Sequence, residues 1–379
     1  MLGLDQLVSV LAGLESPAIR VHPQQCTRLR HRRSRCNLCA ATCPSQAIVW
    51  RAASLEVEPG KCTGCGLCAA VCPTGALEAQ NPTNGELVAR VQELAKERDW
   101  VAFACPRYLE GRPAESGRYL RVNCLGRLDE SVLVGAVAVG MRSVWLMDGA
   151  CRECAQPQGR AAALQAVQRA NALLAAYGHG GVVRMAAELP PELRSAAVTP
   201  VGSLSRRELL SLMTHQTARK AAVAVGTLLD RQAAQAEDAA PKKGELPKRL
   251  PAKRRLLLAA LKRLGTPSGA AADTGLWARV LLKDNCNGCT MCAFFCPTGA
   301  LTKTPAGLSF RLAECTNCRL CEEICHWQAL RLVAEADLGK VTAGAAEALP
   351  APNVMEPGSP SFQERIARSL LETLEGKKE

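Results

Sequence analysis

The chain has 379 residues, 48% of them apolar and 3% aromatic, with a net charge of +12 and twenty cysteines. That length points to two or three domains rather than one, and the apolar fraction to compact globular folding. Most of the cysteines stand in C-x-x-C runs, which excludes a dispersed disulfide framework and points to free thiolates serving metal centres in a reducing cytoplasm.

In chain order, residues 1–16 (MLGLDQLVSVLAGLES) form a short amphipathic stretch with no basic flank and no cleavage-like site, so no signal peptide is expected. Two cysteine-rich modules follow, at residues 20–82 and 276–334, and they are copies of each other. KCTGCGLCAAVCPTGAL at 61–77 returns as NCNGCTMCAFFCPTGAL at 285–301. Each copy has a companion half: CNLCAATCPSQAI at 36–48 in the first, CTNCRLCEEICHWQAL at 315–330 in the second.

Between the modules the composition changes. Residues 86–98 (ELVARVQELAKER) read as a connecting helix. Val101–Ala104, Leu120–Val122 and Val144–Met147 read as short buried strands, and GVVRMAAE at 181–188 as a closing strand. Asp129–Gly140 and Gly159–Tyr177 read as helices. This alternation predicts a small α/β domain with a mainly parallel sheet. The longest apolar stretch, Val132 to Met141, is interrupted by Gly135 and Gly140 and stopped by Arg142, too short to span a bilayer.

Beyond residue 189 the chain reads as helical and basic. SLSRRELLSLMTH (203–215) opens with a Ser cap, and DAAPKKGELPKRLPAKRR (238–255) reads as an exposed hinge. AKRRLLLAALKRL (252–264) sets Leu257, Leu261 and Leu264 along one helical side. Packing on its own domain, docking to an acidic partner and lying on a membrane surface all remain open for it. Ser361–Leu374 reads as a terminal amphipathic helix. The predicted division is 1–85 for an N-terminal helix and first dicluster module, 86–190 for the α/β iron–sulfur domain, 191–275 for a helical, basic linker, 276–335 for the second dicluster module and 336–379 for the tail. The fold class is a multidomain α+β and α/β chain, with two ferredoxin-like modules around a small parallel α/β domain.

The spacing C-x2-C-x2-C-x3-C-P has a physical logic. Three cysteines on a tight loop reach three irons of one cubane, and the fourth, opening the next helical turn, points away to the other cluster. The proline after it has no N–H to leave unpaired in an apolar, sulfur-rich pocket. These runs resemble the bacterial two-cluster ferredoxin family, and the resemblance implies [4Fe–4S] ligands by position. In the second module Cys286, Cys289, Cys292 and Cys325 would hold one cluster, and Cys315, Cys318, Cys321 and Cys296 the other. In the first, Cys62, Cys65, Cys68 and Cys43 would hold one, and Cys36, Cys39, Cys72 and Cys26 the other. The last set departs from the family: nine residues separate Cys26 from Cys36 in CTRLRHRRSRC, where two are usual. His326 also replaces the proline after Cys325, which is expected to alter the local backbone. Zinc on paired knuckles is the alternative, and it fits runs of four cysteines poorly.

The middle domain holds Cys105, Cys124, Cys151 and Cys154, each group following a predicted strand. Parallel strands end on one edge, so the four thiols converge there. Four converging thiols suit a metal or a [2Fe–2S] centre better than a dithiol. A zinc staple and a thioredoxin-like Cys151/Cys154 pair acting as a thiol–disulfide oxidoreductase are the alternatives. Residues 99–188 resemble the delta-subunit family of methyl-viologen-reducing hydrogenase, on Cys124, Gly126, Arg127, Asp129, Gly149, Cys151, Cys154 and Gly159. The resemblance implies one [2Fe–2S] cluster, and electron transfer to heterodisulfide-reductase-type, molybdenum or tungsten partners.

No G-x-G-x-x-G follows a strand and no P-loop is present, so no dinucleotide or flavin site is expected. No catalytic residue is assigned. His22, His31, His179, His215 and His326 are scattered, as surface or packing residues are. The basic charge suits docking to acidic redox partners. Aromatic–basic interleaving is absent, so nucleic acid is not expected as a partner, although a zinc-stapled nucleic-acid scaffold is the rival reading. A chain with several clusters and no substrate site of its own reads as the electron-transfer subunit of a cytoplasmic redox complex of anaerobic metabolism.

Overall fold

The computed structural model describes residues 18–51, 54–110, 112, 117–195, 246–268, 271–305 and 307–350. The stretches 1–16, 203–215 and 361–374, and His215, lie outside the described residues.

The first module opens on strand β1 (Ile19–Val21). A helical turn at Thr27–Arg30 follows, then helix α1 (Leu38–Thr42) and a hairpin of β2 (Ile48–Arg51) and β3 (Ser54–Val57). Helix α2 (Leu67–Val71) and β4 (Leu77–Ala79) complete it, and β4 returns antiparallel to β1 with Ile19 opposite Ala79. Its small core is built as much from sulfur as from carbon: Cys26, Cys39, Cys68 and Cys72 are buried with Ile19, Ile48, Leu55 and Leu77.

The middle domain starts with α3 (Asn84–Leu94), where Thr83 and Glu86 form a reciprocal capping box. Strands β5 (Trp100–Ala104), β6 (Leu120–Arg121), β7 (Ser143–Met147) and β8 (Val183–Ala186) form one sheet in the order β6-β5-β7-β8, every pair parallel. All five residues of β5 are buried, as a central parallel strand covered on both faces requires. Helix α4 (Glu130–Ala138) is buried from Glu130 to Val137, and α5 (Pro157–Ala175) carries the chain back from β7 to β8.

Helix α6 runs from Ala252 to Leu264. It packs chiefly on α4 and buries Leu257 and Leu261, so the apolar side that suggested a membrane surface faces the protein's own core. Of the stretch expected to be an exposed hinge, the part described before the helix, 246–251, is mostly half-buried, with Lys248 exposed. Arg249 donates from its backbone to Pro297 O at 2.9 Å and pairs with Glu78 at 3.2 Å, tying the two modules together. Among the described residues no helix is long and apolar enough to cross a membrane.

The second module repeats the first. Strand β9 (Arg279–Leu282) pairs antiparallel with the late strand β12 (Leu330–Val333), and β10 (Leu301–Thr304) with β11 (Gly307–Arg311) makes the hairpin. Helices α7 (Met291–Phe295) and α8 (Leu320–Ile324) match α1 and α2, and β13 (Ala346–Pro350) adds a third strand beside β11. Trp277, Val280, Phe310 and Leu330 share one continuous core with the middle domain through Leu257 and Leu261.

Candidate metal centres

Each module brings its cysteines inward through the same backbone device. In the tight loops, residues just before and after the second cysteine take left-handed conformations: Gly64 and Gly66, Gly288 and Thr290, Asn317 and Arg319. These kinks turn the following amides toward the sulfurs, and Leu67, Met291 and Leu320 donate to Cys65, Cys289 and Cys318. The fourth cysteine closes a helical turn rather than opening one: Cys43, Cys72, Cys296 and Cys325 are the C-caps of α1, α2, α7 and α8, all with extended ψ. Three residues later Gln46, Gly75, Gly299 and Gln328 all have positive φ. Cys325 has φ −65° and ψ 106° beside −68° and 112° at Cys72. His326 therefore leaves the backbone as proline leaves it elsewhere, contrary to expectation.

The thiols gather in groups whose members feel one another's charge. Burial pushes the Cys39 thiol up to about 12, and Cys72, Cys26 and Cys36 beside it push the same way. Cys36 is raised by burial, with Cys72 and Cys26 adding to it. Cys26 thus comes back to its distant companions despite the nine intervening residues. Burial raises Cys68 strongly, with Cys65, Cys43 and Cys62 among its neighbours. In the second module Cys292 is raised by burial and then by Cys289, Cys325 and Cys286. Cys321 is raised by burial and then by Cys318, Cys315 and Cys296. Cys296, Cys315, Cys318 and Cys321 also line one cavity, with Val280, Leu301, Phe310 and Leu332 as its apolar wall.

The middle-domain cysteines meet at the C-terminal edge of the sheet. Cys105 follows β5, Cys124 lies beyond β6, and Cys151 and Cys154 lie beyond β7. Burial pushes Cys124 up to about 12, with Cys65, Cys105 and Cys151 in range. Cys151 goes up to about 11 through burial first and then Cys105, Asp148 and Cys154. That direction is the reverse of what a nucleophilic redox dithiol requires. The glycines named for the resemblance have close-approach roles. A Cβ on Gly126 would lie 2.6 Å from Gly159 O, and one on Gly149 would lie 2.5 Å from Ala187 O. Arg127 and Asp129 join a hydrogen-bond network through Asn84. Arg127 donates to Pro82 O at 2.7 Å and Asn84 Oδ1 at 2.8 Å, while Asn84 donates to Asp129 Oδ2 at 2.7 Å. Together they fasten the start of α3 to the start of α4.

Two cations missed in the sequence stand behind these loops. Lys253 donates to Ala69 O at 3.2 Å and Ala70 O at 2.6 Å, at the C-terminal end of α2 between Cys68 and Cys72. Arg254 is buried over the Trp277 ring at 4.3 Å; burial takes its pKa down to about 10, opposed by Cys315 and Glu130.

All twenty cysteines are free, and the donor chemistry fits iron–sulfur clusters. Crowded, buried thiols cannot ionise together unless a cationic core compensates them, which is what the raised pKa values express. Among the described residues no group of three or more His, Cys, Asp or Glu side chains stands ready to share a single metal ion.

Residues 32–76 match the 4Fe-4S dicluster domain model, 112–192 that of the methyl-viologen-reducing hydrogenase delta subunit, and 280–302 that of the 4Fe-4S binding domain. Ferredoxin modules flank a delta-subunit-like domain. No curated protein and no solved structure matched. Cys26, Cys105 and the Cys315–Cys325 run lie outside the matched segments.

Proposed function

We propose that this chain is the electron-transfer subunit of a larger cytoplasmic redox complex of anaerobic metabolism. It would hold four [4Fe–4S] clusters on the cysteine sets named above and one [2Fe–2S] cluster on Cys105, Cys124, Cys151 and Cys154. The clusters, when bound, supply one-electron carriers whose potentials the protein sets. The observation that supports the reading is the electrostatic proximity of the sets. Cys124 lies in electrostatic range of Cys65, Cys68 of Cys39, and Cys321 of Cys292. Tunnelling falls steeply with distance, so adjoining sets form a route, where isolated structural centres would have no reason to adjoin.

The chain's own residues do the rest. Amides at Leu67, Met291 and Leu320 donate to thiolate sulfur and favour the reduced state. The apolar walls exclude water, and Lys253 and Arg254 place positive charge behind the loops. Partners are other redox subunits, of hydrogenase, heterodisulfide-reductase or molybdenum and tungsten type, and the chain needs no substrate of its own. A cavity of about 590 Å³ beside Cys325 is bordered by Arg33, Lys283 and Arg331, with Glu322 and Glu323 also on its wall. Those cations suit an acidic partner surface.

Dithionite reduction of anaerobically purified chain tests the reading. EPR signals of reduced clusters, lost on adding a low-potential carrier, are expected. A chain that neither reduces nor exchanges electrons contradicts it.

A further inference from the structure

The contacts between adjoining sets leave one gap, between the two ferredoxin modules, and the inserted residues Thr27–Arg35 fill it. Arg30 ends the helical turn after Cys26, and its N–H donates to Cys26 O at 2.9 Å. Its guanidinium is buried and donates to Gln24 O at 2.7 Å, to Phe295 O at 3.4 Å and to Pro247 O. Phe295 is bonded to Cys296, so one residue runs from the carbonyl of Cys26, through its backbone N–H, to the residue that precedes Cys296, through its guanidinium. Burial opposes the charge of Arg30, while Cys296 and Cys318 favour it. Beside it the His31 ring meets Phe295 edge-on at 4.8 Å, and Arg33 Nη2 lies 3.5 Å from His326 Nδ1, next to Cys325. The other three cysteine loops have no such insertion.

We propose that Thr27–Arg35 joins the two modules into one conductor, with Arg30 as the positioning residue that holds the Cys26 set against the Cys296 set. This rests on the electron-transfer reading above. The sets then stand in single file: Cys105/124/151/154, Cys43/62/65/68, Cys26/36/39/72, Cys296/315/318/321 and Cys286/289/292/325. The buried guanidinium offsets part of the anionic charge of the Cys296 set that it faces. Its planar fork also reaches carbonyls of both sides, which a lysine ammonium cannot do with the same geometry. With clusters bound on the two sets, a crossing would move one electron between them, one cluster being oxidised by one and the other reduced by one, with no bond broken and no proton moved. The electron comes from the reductant supplied, dithionite in the test below.

The test is an EPR-monitored reductive titration of iron-loaded full chain as wild type, Arg30→Gln, Arg30→Lys and Arg142→Gln, the last 86% exposed at its side chain. Arg30→Gln is expected to move one [4Fe–4S] step to lower potential, since losing a nearby cation disfavours the added electron. Arg30→Lys restores that step, and Arg142→Gln leaves every step in place. An Arg30→Gln chain that titrates as wild type overturns the proposal. If Arg30→Gln fails to take up iron, Arg30→Lys decides. Its fully reduced spectrum should show weakened magnetic interaction between modules, and an interaction equal to wild type overturns the proposal. Wild-type chain without acid-labile sulfide overturns the electron-transfer reading itself, whereas loaded chain with an unshifted Arg30→Gln overturns only the junction.

Discussion

A Cβ atom on Gly159 would lie 2.5 Å from the sulfur of Cys124. The first turn of α5 can approach the middle-domain cysteines only because this residue has no side chain. Gly159→Ala must push Cys124 aside or shift the helix. The expected outcome is loss of the [2Fe–2S] signal from the EPR spectrum, with the [4Fe–4S] signals retained.

In the proposed ligand sets Cys26 would complete the first module's second set, with nine residues between it and Cys36. Cys26→Ser is expected to lower iron by about four per chain, one cubane's worth, with the Cys62 set unaffected. Iron and sulfide assays on the purified variant check this. Unchanged iron would assign the fourth ligand elsewhere.

The raised thiols make the iron-free chain sluggish toward alkylation. Cys151 goes from an ordinary 9.0 to about 11, so its thiolate fraction at neutral pH falls. Two pKa units correspond to roughly a hundredfold less thiolate, and Cys151 should react that much more slowly than a free cysteine. The same shift has a stability sign. A thiol whose folded pKa is raised stabilises the folded state below its unfolded pKa, and that contribution is lost as pH rises through the folded value. The iron-free chain should therefore lose stability between about pH 9 and pH 12, where Cys39, Cys124 and Cys151 titrate. Denaturant midpoints across that range, and mass-spectrometric alkylation rates, test both signs. A fast-reacting Cys151 would favour the dithiol alternative.

Arg254 sits buried between Trp277, Cys315 and Glu130, and donates to Leu276 O. Arg254→Leu removes the cation over the Trp277 ring and leaves Leu276 O without its donor. Leaving a buried acceptor unsatisfied costs about 1–3 kcal/mol. A denaturant midpoint shifted to that extent is expected, and one within error of wild type contradicts it.

The cations by Cys325 should steer an acidic carrier. Lys283→Glu is expected to slow electron exchange with such a carrier and to weaken its salt dependence, read by stopped-flow at several ionic strengths. Equal rates at low salt would remove this face as the docking site.

What the sequence made legible was local. The runs at 62–72, 286–296 and 315–325 carry their geometry in fixed spacing, and the strand-end cysteines follow from parallel topology. Leu257 and Leu261 showed an apolar side, but nothing nearby in the chain named α4 as its partner. The acceptors of Arg30, Pro247 and Phe295, are more than two hundred residues away, beyond what a local run of arginines can indicate. Arg127 and Asp129 read as part of a functional motif, and proved to fasten two helices. Pattern registers short-range chemistry; long-range partners need the fold.

The most direct measurement is iron, zinc and acid-labile sulfide on anaerobically purified full chain. Four cubanes and one binuclear cluster predict about eighteen irons and eighteen sulfides per chain. Zinc throughout, without sulfide, would contradict the account.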